Sequence, residues 1–294
     1  MDIKAQLAAY GEAINDKLDE AMLLPNVPQL LKRAMRYSLE AGGKRIRPCL
    51  VLGTSEMLEG DREAALALGC GLEMIHTYSL IHDDLPCIDN DDMRRGRPSN
   101  HKVFGEGQAV FAGDALLTYA FEWVLGQGIE KNDRNYYRAV LEIARRAGAG
   151  GMVAGQSLDL EAEQNGIADE RALYAIHDRK TADMLIAAVL AGAYTANPTG
   201  EQLRSLESYA SGIGLLFQIT DDILDNEGDE ALMGKTLGKD EKSNKLTFVS
   251  LYGLEKAKTL AEETARQAAQ QLLPFGERAG FLHDMIDLIK DRKN

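Results

Sequence analysis

Basic charge is what this sequence is shortest of. Its 33 Lys and Arg stand against 46 Asp and Glu, a formal net charge of −13 at pH 7. No nucleic-acid partner is expected, because displacing counterions from a phosphate backbone needs a strongly basic face. Cysteine is nearly absent: Cys49, Cys70 and Cys87 are odd in number, widely spaced and form no CxxC pair, which argues against a disulfide framework and a cysteine zinc site. Long apolar runs are missing as well. The best membrane candidate, 184–199, is interrupted by Asn197-Pro198 and falls short of the about 20 residues a bilayer span needs. It reads as a buried core helix, and no membrane span is expected. The N-terminal segment carries charges throughout and lacks the apolar block of a secretory signal, so a cytoplasmic location is expected.

Proline is scarce too. Only seven occur, with none between Asn100 and Asn197 or between Thr199 and Leu273, and the Ala, Leu, Glu and Lys of those stretches favour long helices. Apolar residues recur at helical spacing through Ile176, Ala187, Leu190 and Tyr194, and through Leu203, Leu206, Ala210, Ile213 and Phe217. Breaks are expected at 25–28, 41–43, 59–60, 86–98, 126–128, 165–166, 197–198 and 228–238, where Pro, Gly and Asn gather. About ten helices follow, with no linker to divide them, so the expectation is one all-α domain over 1–294.

What is present in excess is acid, and it is clustered. Asp83, Asp84 and Asp89 lie in HDDLPCIDNDD, and Asp221, Asp222 and Asp225 in ITDDILD, the two aspartate pairs 138 positions apart. Pro86 should end regular helix just past the first pair and let Asp89 fold back from a loop. In the second cluster Asp221 and Asp225 share a helix face, with Gln218 one turn earlier. Hard oxygens gathered this way suit Mg²⁺, which shares its ligand shell with water and substrate phosphate, so a phosphate-bearing substrate held between the clusters is expected. Either cluster alone also reads as a solvated helix end.

The few cations gather near the acids. Lys44, Arg45 and Arg47 lie in GGKRIRP, while Arg94 and Arg95 follow the first acidic cluster directly; Arg offers planar bidentate recognition of phosphate and Lys a point charge. His76 precedes Asp83 by nearly two helical turns, and Leu72, Ser79 and Leu80 on that side suggest an apolar channel toward the carboxylates. A lone helical His reads as readily as a core residue. Lys180-Thr181 and Gln156-x-x-Asp159 place polar groups in apolar helices, where they need partners. The stretch 228–245 is polar and rich in Gly and Lys, as a lid or a plain loop would be.

With these residues laid out, the sequence resembles the short-chain trans-isoprenyl diphosphate synthases, most closely the bacterial farnesyl diphosphate synthases. The resemblance runs through GGKRIRP (42–48), 75–101, AGDALL (112–117), GQSLDL (155–160), KTADM (180–184), 214–225 and GKTLGKD (234–240). It implies the isoprenoid synthase fold, a helical bundle around a central cavity, and a homodimer. It implies Mg²⁺ held by Asp83, Asp84, Asp89, Asp221, Asp222 and Asp225, and an allylic diphosphate gripped by Arg94, Lys180 and Lys235. Isopentenyl diphosphate would sit with Lys44, Arg47, His76 and Arg95, while Thr181 and Gln218 line the reaction centre. The activity implied is condensation of dimethylallyl or geranyl diphosphate with isopentenyl diphosphate to farnesyl diphosphate. A geranylgeranyl or geranyl diphosphate synthase is the alternative; a terpene cyclase and a non-catalytic partner subunit are remoter. Chain length is implied to depend on Tyr78 and Ser79. Helix geometry alone turns Ser79 more directly toward Asp83, and an aromatic floor at Tyr78 rests on the resemblance.

Overall fold

In the computed structural model, residues 2–167, 169–227 and 246–292 are described. The only strands among them are Met93–Arg94 (β1) and Arg97–Pro98 (β2), one short antiparallel hairpin; all other regular structure is helical, as expected. By its internal contacts the chain divides into two compact units, Met1–Val140 with Tyr194–Ala196, and Leu141–Ala193 with Asn197–Asn294.

The first unit contains α1 (Ile3–Ala21), α2 (Gln29–Leu39), α3 (Ile46–Met57), α4 (Arg62–Asp83), the hairpin, α5 (Asn100–Phe104) and α6 (Glu106–Lys131). Asp61 caps α4 by accepting from the Ala64 N–H at 3.0 Å, and the helix then buries Leu68, Leu72 and Ile75 almost completely. A Cβ on Gly71 would lie 2.4 Å from Val124 Cγ1, so that glycine is what lets α4 and α6 pack closely. The break expected at 126–128 does not occur: α6 runs through it to Lys131 and ends at Asn132, whose φ of 47° is left-handed. Gly128 serves packing instead, since a Cβ there would meet Tyr136 Cε1 at 2.7 Å.

Among the described residues, two helices are long and apolar enough to cross a membrane by length and composition, and neither is the stretch 184–199. They are 62–83, 83% buried over its apolar window, and 106–129, 33% buried. The run 184–193 is a buried core helix, as expected.

The second unit contains α8 (Met152–Asn165), α9 (Glu170–His177), a π-helical turn (Asp178–Ala182), α10 (Asp183–Tyr194, leaving the unit at its last residue), α11 (Gly200–Glu227), α12 (Phe248–Tyr252), α13 (Leu254–Gln271), a 3₁₀ segment (Leu273–Ala279) and α14 (Gly280–Lys290). Helix α7 (Arg134–Ala147) straddles the unit boundary in sequence. Tyr209 of α11 is wholly buried and donates its hydroxyl to Leu282 O at 2.8 Å, tying α11 to α14.

Candidate active site

The first acidic cluster is built by the end of α4. Pro86 stops the helix and the chain turns back, so that the Asp89 N–H donates to Asp83 O at 2.9 Å. Asp89 returns over the helix end, as Pro86 predicts, with Asp83 half-buried and Asp89 exposed. Asp84 differs from its neighbours. It is buried, and its Oδ1 accepts from Arg94 Nε at 2.9 Å and from Arg94 Nη2. Burial pushes the Asp84 carboxyl above its usual range while the Arg94 guanidinium opposes the shift. In this structure Asp84 therefore orients Arg94.

The hairpin divides the arginines that follow. Arg95 and Gly96 have φ of 52° and 73°, the left-handed pair of a tight hairpin turn. Arg94 turns to Asp84, while Arg95 donates through Nη1 to Gly42 O. Gly43, with φ of 125°, has no room for a side chain, because a Cβ would lie 2.8 Å from Arg95 Cζ.

The basic run of 44–47 is divided as well. Arg45 points inward, Nη1 to Glu73 Oε1 at 2.7 Å and Nη2 to Leu39 O at 2.7 Å. Arg47 instead lies against His76, Nη1 to Nε2 at 3.2 Å. A guanidinium can only donate, so His76 accepts at Nε2 and is the neutral tautomer protonated at Nδ1. Burial, then the charges of Arg47, Arg95, Arg94 and Arg45, hold the His76 imidazolium form well below its ordinary range. Burial lowers the Arg47 guanidinium to about 10, and its Nε is buried without a hydrogen-bond partner. Concentrated positive charge of this kind can attract an anion. Of the four residues expected together, Arg47, His76 and Arg95 are brought into mutual electrostatic reach, and Lys44 is exposed on the same loop. Glu73 was not legible as part of this pocket; its carboxylate supports both Arg47 and Arg95 as cations.

In the second unit Lys180 and Thr181 lie on the π-helical turn. A Cβ on Gly155 would be 2.2 Å from Lys180 N, and one on Gly214 would be 2.5 Å from Ala182 Cβ, so two glycines let α8 and α11 close on this widened turn. Single π turns of this kind recur at functional sites. Lys180 Nζ donates to Asp159 Oδ2 at 2.5 Å, supplying the partner Asp159 needs, and Thr181 is buried.

Asp221 and Asp225, with Gln218 one turn before, are half-buried on α11. Asp221 Oδ1 accepts from Arg292 Nη2 at 3.0 Å, and the same nitrogen donates to Phe217 O at 2.8 Å. Nothing in the sequence announced Arg292, which carries no motif spacing. Asp222 Oδ2 accepts the Phe248 N–H at 2.6 Å at the start of α12. Lys235, the motif 234–240 and the stretch 228–245 expected to close lie outside the described residues.

Asp83, Asp89, Asp221 and Asp225 are hard donors. No three His, Cys, Asp or Glu side chains converge as a ready-made metal cage among the described residues. Carboxylates without such a cage fit Mg²⁺, which keeps waters and completes its shell with substrate oxygens, better than an ion that demands an all-protein site.

On α4, Tyr78 is buried and meets the His82 ring edge-on, centroids 5.7 Å apart. Ser79, the position helix geometry favours, donates Oγ to His76 O at 2.9 Å.

The sequence profile of the polyprenyl synthetase family matches residues 28–273. Among curated proteins, the geranylgeranyl pyrophosphate synthase, chloroplastic, of Capsicum annuum is 46% identical over 294 residues, covering 100% of this chain and 79% of that protein. Geranylgeranyl pyrophosphate synthase 3, chloroplastic, of Arabidopsis thaliana is 47% identical over 279 residues, covering 93% and 77%. Among solved structures, an FPP/GFPP synthase from Zymomonas mobilis superposes with a TM-score of 0.89 at 37% identity, covering 98% of this chain and 99% of that one. With the described residues almost wholly helical and the family profile spanning all but the ends, this chain is a transferase of the polyprenyl synthetase family.

Proposed function

We propose that this chain joins an allylic diphosphate to isopentenyl diphosphate, extending the isoprenyl chain by five carbons. The observation that carries this reading is the pocket of Arg47, Arg95 and neutral His76, where a buried guanidinium keeps a free donor for an anion. That pocket receives the diphosphate of isopentenyl diphosphate, with Lys44 at its rim, and a terpene cyclase has no use for it. Arg94, oriented by Asp84, and Lys180, held by Asp159, steady the allylic diphosphate. Asp83 and Asp89 in the first unit, and Asp221 and Asp225 in the second, would supply the carboxylates for Mg²⁺, which would neutralise charge on a departing diphosphate. Charge on the chain's own Arg and Lys side chains favours the leaving group as the carbon–oxygen bond opens, and the isopentenyl double bond then attacks the allylic cation. Thr181 and Gln218 line that centre. No side-chain base is assigned to the proton lost afterwards; it goes to the departing diphosphate.

Arg47→Ala tests the pocket. Losing a charge-assisted hydrogen bond of about 1.5–3 kcal/mol should raise KM for isopentenyl diphosphate by about ten- to a hundredfold, with KM for the allylic substrate little changed. An equal rise in both would assign Arg47 elsewhere.

For the product, the names of the curated relatives favour geranylgeranyl diphosphate and support it better than the fifteen-carbon product expected from the sequence. One feature of this chain favours farnesyl diphosphate: the buried ring of Tyr78 five residues before Asp83, a rigid stop for a growing chain. Resolving the products of the purified protein by length decides between them. In either case Tyr78→Ala is expected to lengthen the main product by at least one isoprene unit, and an unchanged distribution would place the floor elsewhere.

The proposal includes a homodimer. Helix α6 leaves Val110, Phe111, Leu125 and Ile129 exposed, an apolar surface that pairing would cover. A cytoplasmic location has no support from the plant relatives, whose names place them in chloroplasts.

A further inference from the structure

We infer that His82, seated on Gly113 of α6, is a positioning residue that fixes the Tyr78 ring and through it the length of the product. The inference rests on the reading that Tyr78 limits the chain. A ring stops a growing chain only if it cannot swing aside, and a phenol has two side-chain torsions with which to do so. On α4, His82 stands one turn after Tyr78, where helix neighbours meet, and the two rings are nearly perpendicular at 83°. That edge-to-face arrangement resists rotation of either ring.

His82 is itself held from α6. Its Nε2 lies 3.1 Å from Val110 O; a carbonyl only accepts, so Nε2 carries the hydrogen and the ring orientation is set. The same helix presents Gly113 to the ring. A Cβ there would fall 2.1 Å from Nε2, 2.5 Å from Cδ2 and 2.9 Å from Cε1 of His82, so the imidazole lies flat on the glycine and no other residue would admit it. Gly113 has an ordinary helical backbone, so backbone conformation does not call for glycine there. The close approach of the His82 ring does.

The test is product length, which a merely structural role would not move. His82→Ala, with its helical circular dichroism intact, is expected to raise the ratio of the next longer product to the wild-type product by about two- to tenfold, the scale of one lost ring contact. Gly113→Ala keeps the histidine but evicts its ring, and should shift the ratio in the same direction. Because His82 acts through Tyr78, the double variant His82→Ala/Tyr78→Ala should match Tyr78→Ala alone. The inference is overturned if His82→Ala and Gly113→Ala retain the wild-type distribution or are both inactive while Tyr78→Ala is active. It is also overturned if the double variant makes longer products than Tyr78→Ala. If Tyr78→Ala itself changes nothing, the chain-length reading has failed first, and the two failures are distinguishable.

Discussion

Asp83→Ala is expected to lower kcat/KM for the condensation by about a thousandfold or more, equivalent to roughly 4 kcal/mol of transition-state stabilisation. The fold should survive. Asp83 is the last residue of α4, where the negative end of the helix dipole disfavours a carboxylate, so its loss relieves rather than adds strain on the helix. Its main-chain carbonyl, which receives the Asp89 N–H, is untouched by the substitution. Asp221→Ala should be similarly inactive. Its ion pair with Arg292 joins a carboxylate 39% exposed to a guanidinium only 11% exposed, so breaking it leaves a largely buried cation short of a partner and should also cost about 1–3 kcal/mol of stability. Steady-state kinetics beside thermal melts separate the two effects. Turnover at the wild-type rate in either variant would remove that carboxylate from the metal site.

The second large effect is on stability. Glu73 and Arg45 form an ion pair with side chains 2% and 6% exposed. Removing one partner leaves the other charge buried and uncompensated, at a cost of about 3–5 kcal/mol. Glu73→Ala is therefore expected to lower Tm by on the order of 10 °C. Replacing both residues with apolar side chains of similar volume should recover much of the loss, because the pair's own net contribution is small once desolvation is counted. A single variant melting within a degree or two of wild type would show that water reaches Arg45.

What could be read in advance was whatever depends on local chain chemistry. Scarce proline announced the helices, and Pro86 announced the return of Asp89. What escaped depends on packing. Gly126 and Gly128 look like a break, but a glycine in a helix marks close approach as often as a stop, and Tyr136 occupies the space beside Gly128. Arg45 and Arg47 are chemically alike two positions apart, and only the buried Glu73 reveals that one is a core residue and the other a pocket wall. The π turn at 178–182 has no compositional signature; it needs Gly155 and Gly214, distant in sequence, to be visible. The protein partners of Asp222 and Asp84 were hidden as well: one receives the N–H at the start of α12 and the other holds Arg94. Arg292 reaches Asp221 only through tertiary structure.

The central claim is that this chain builds a longer isoprenyl diphosphate from two shorter ones. Incubating the purified protein with Mg²⁺, geranyl diphosphate and isotopically labelled isopentenyl diphosphate tests it most directly. The account predicts label in longer prenyl diphosphates, with one inorganic diphosphate released for each labelled unit joined. Consumption of geranyl diphosphate at the same rate without isopentenyl diphosphate, and no label in any prenyl chain, would contradict it.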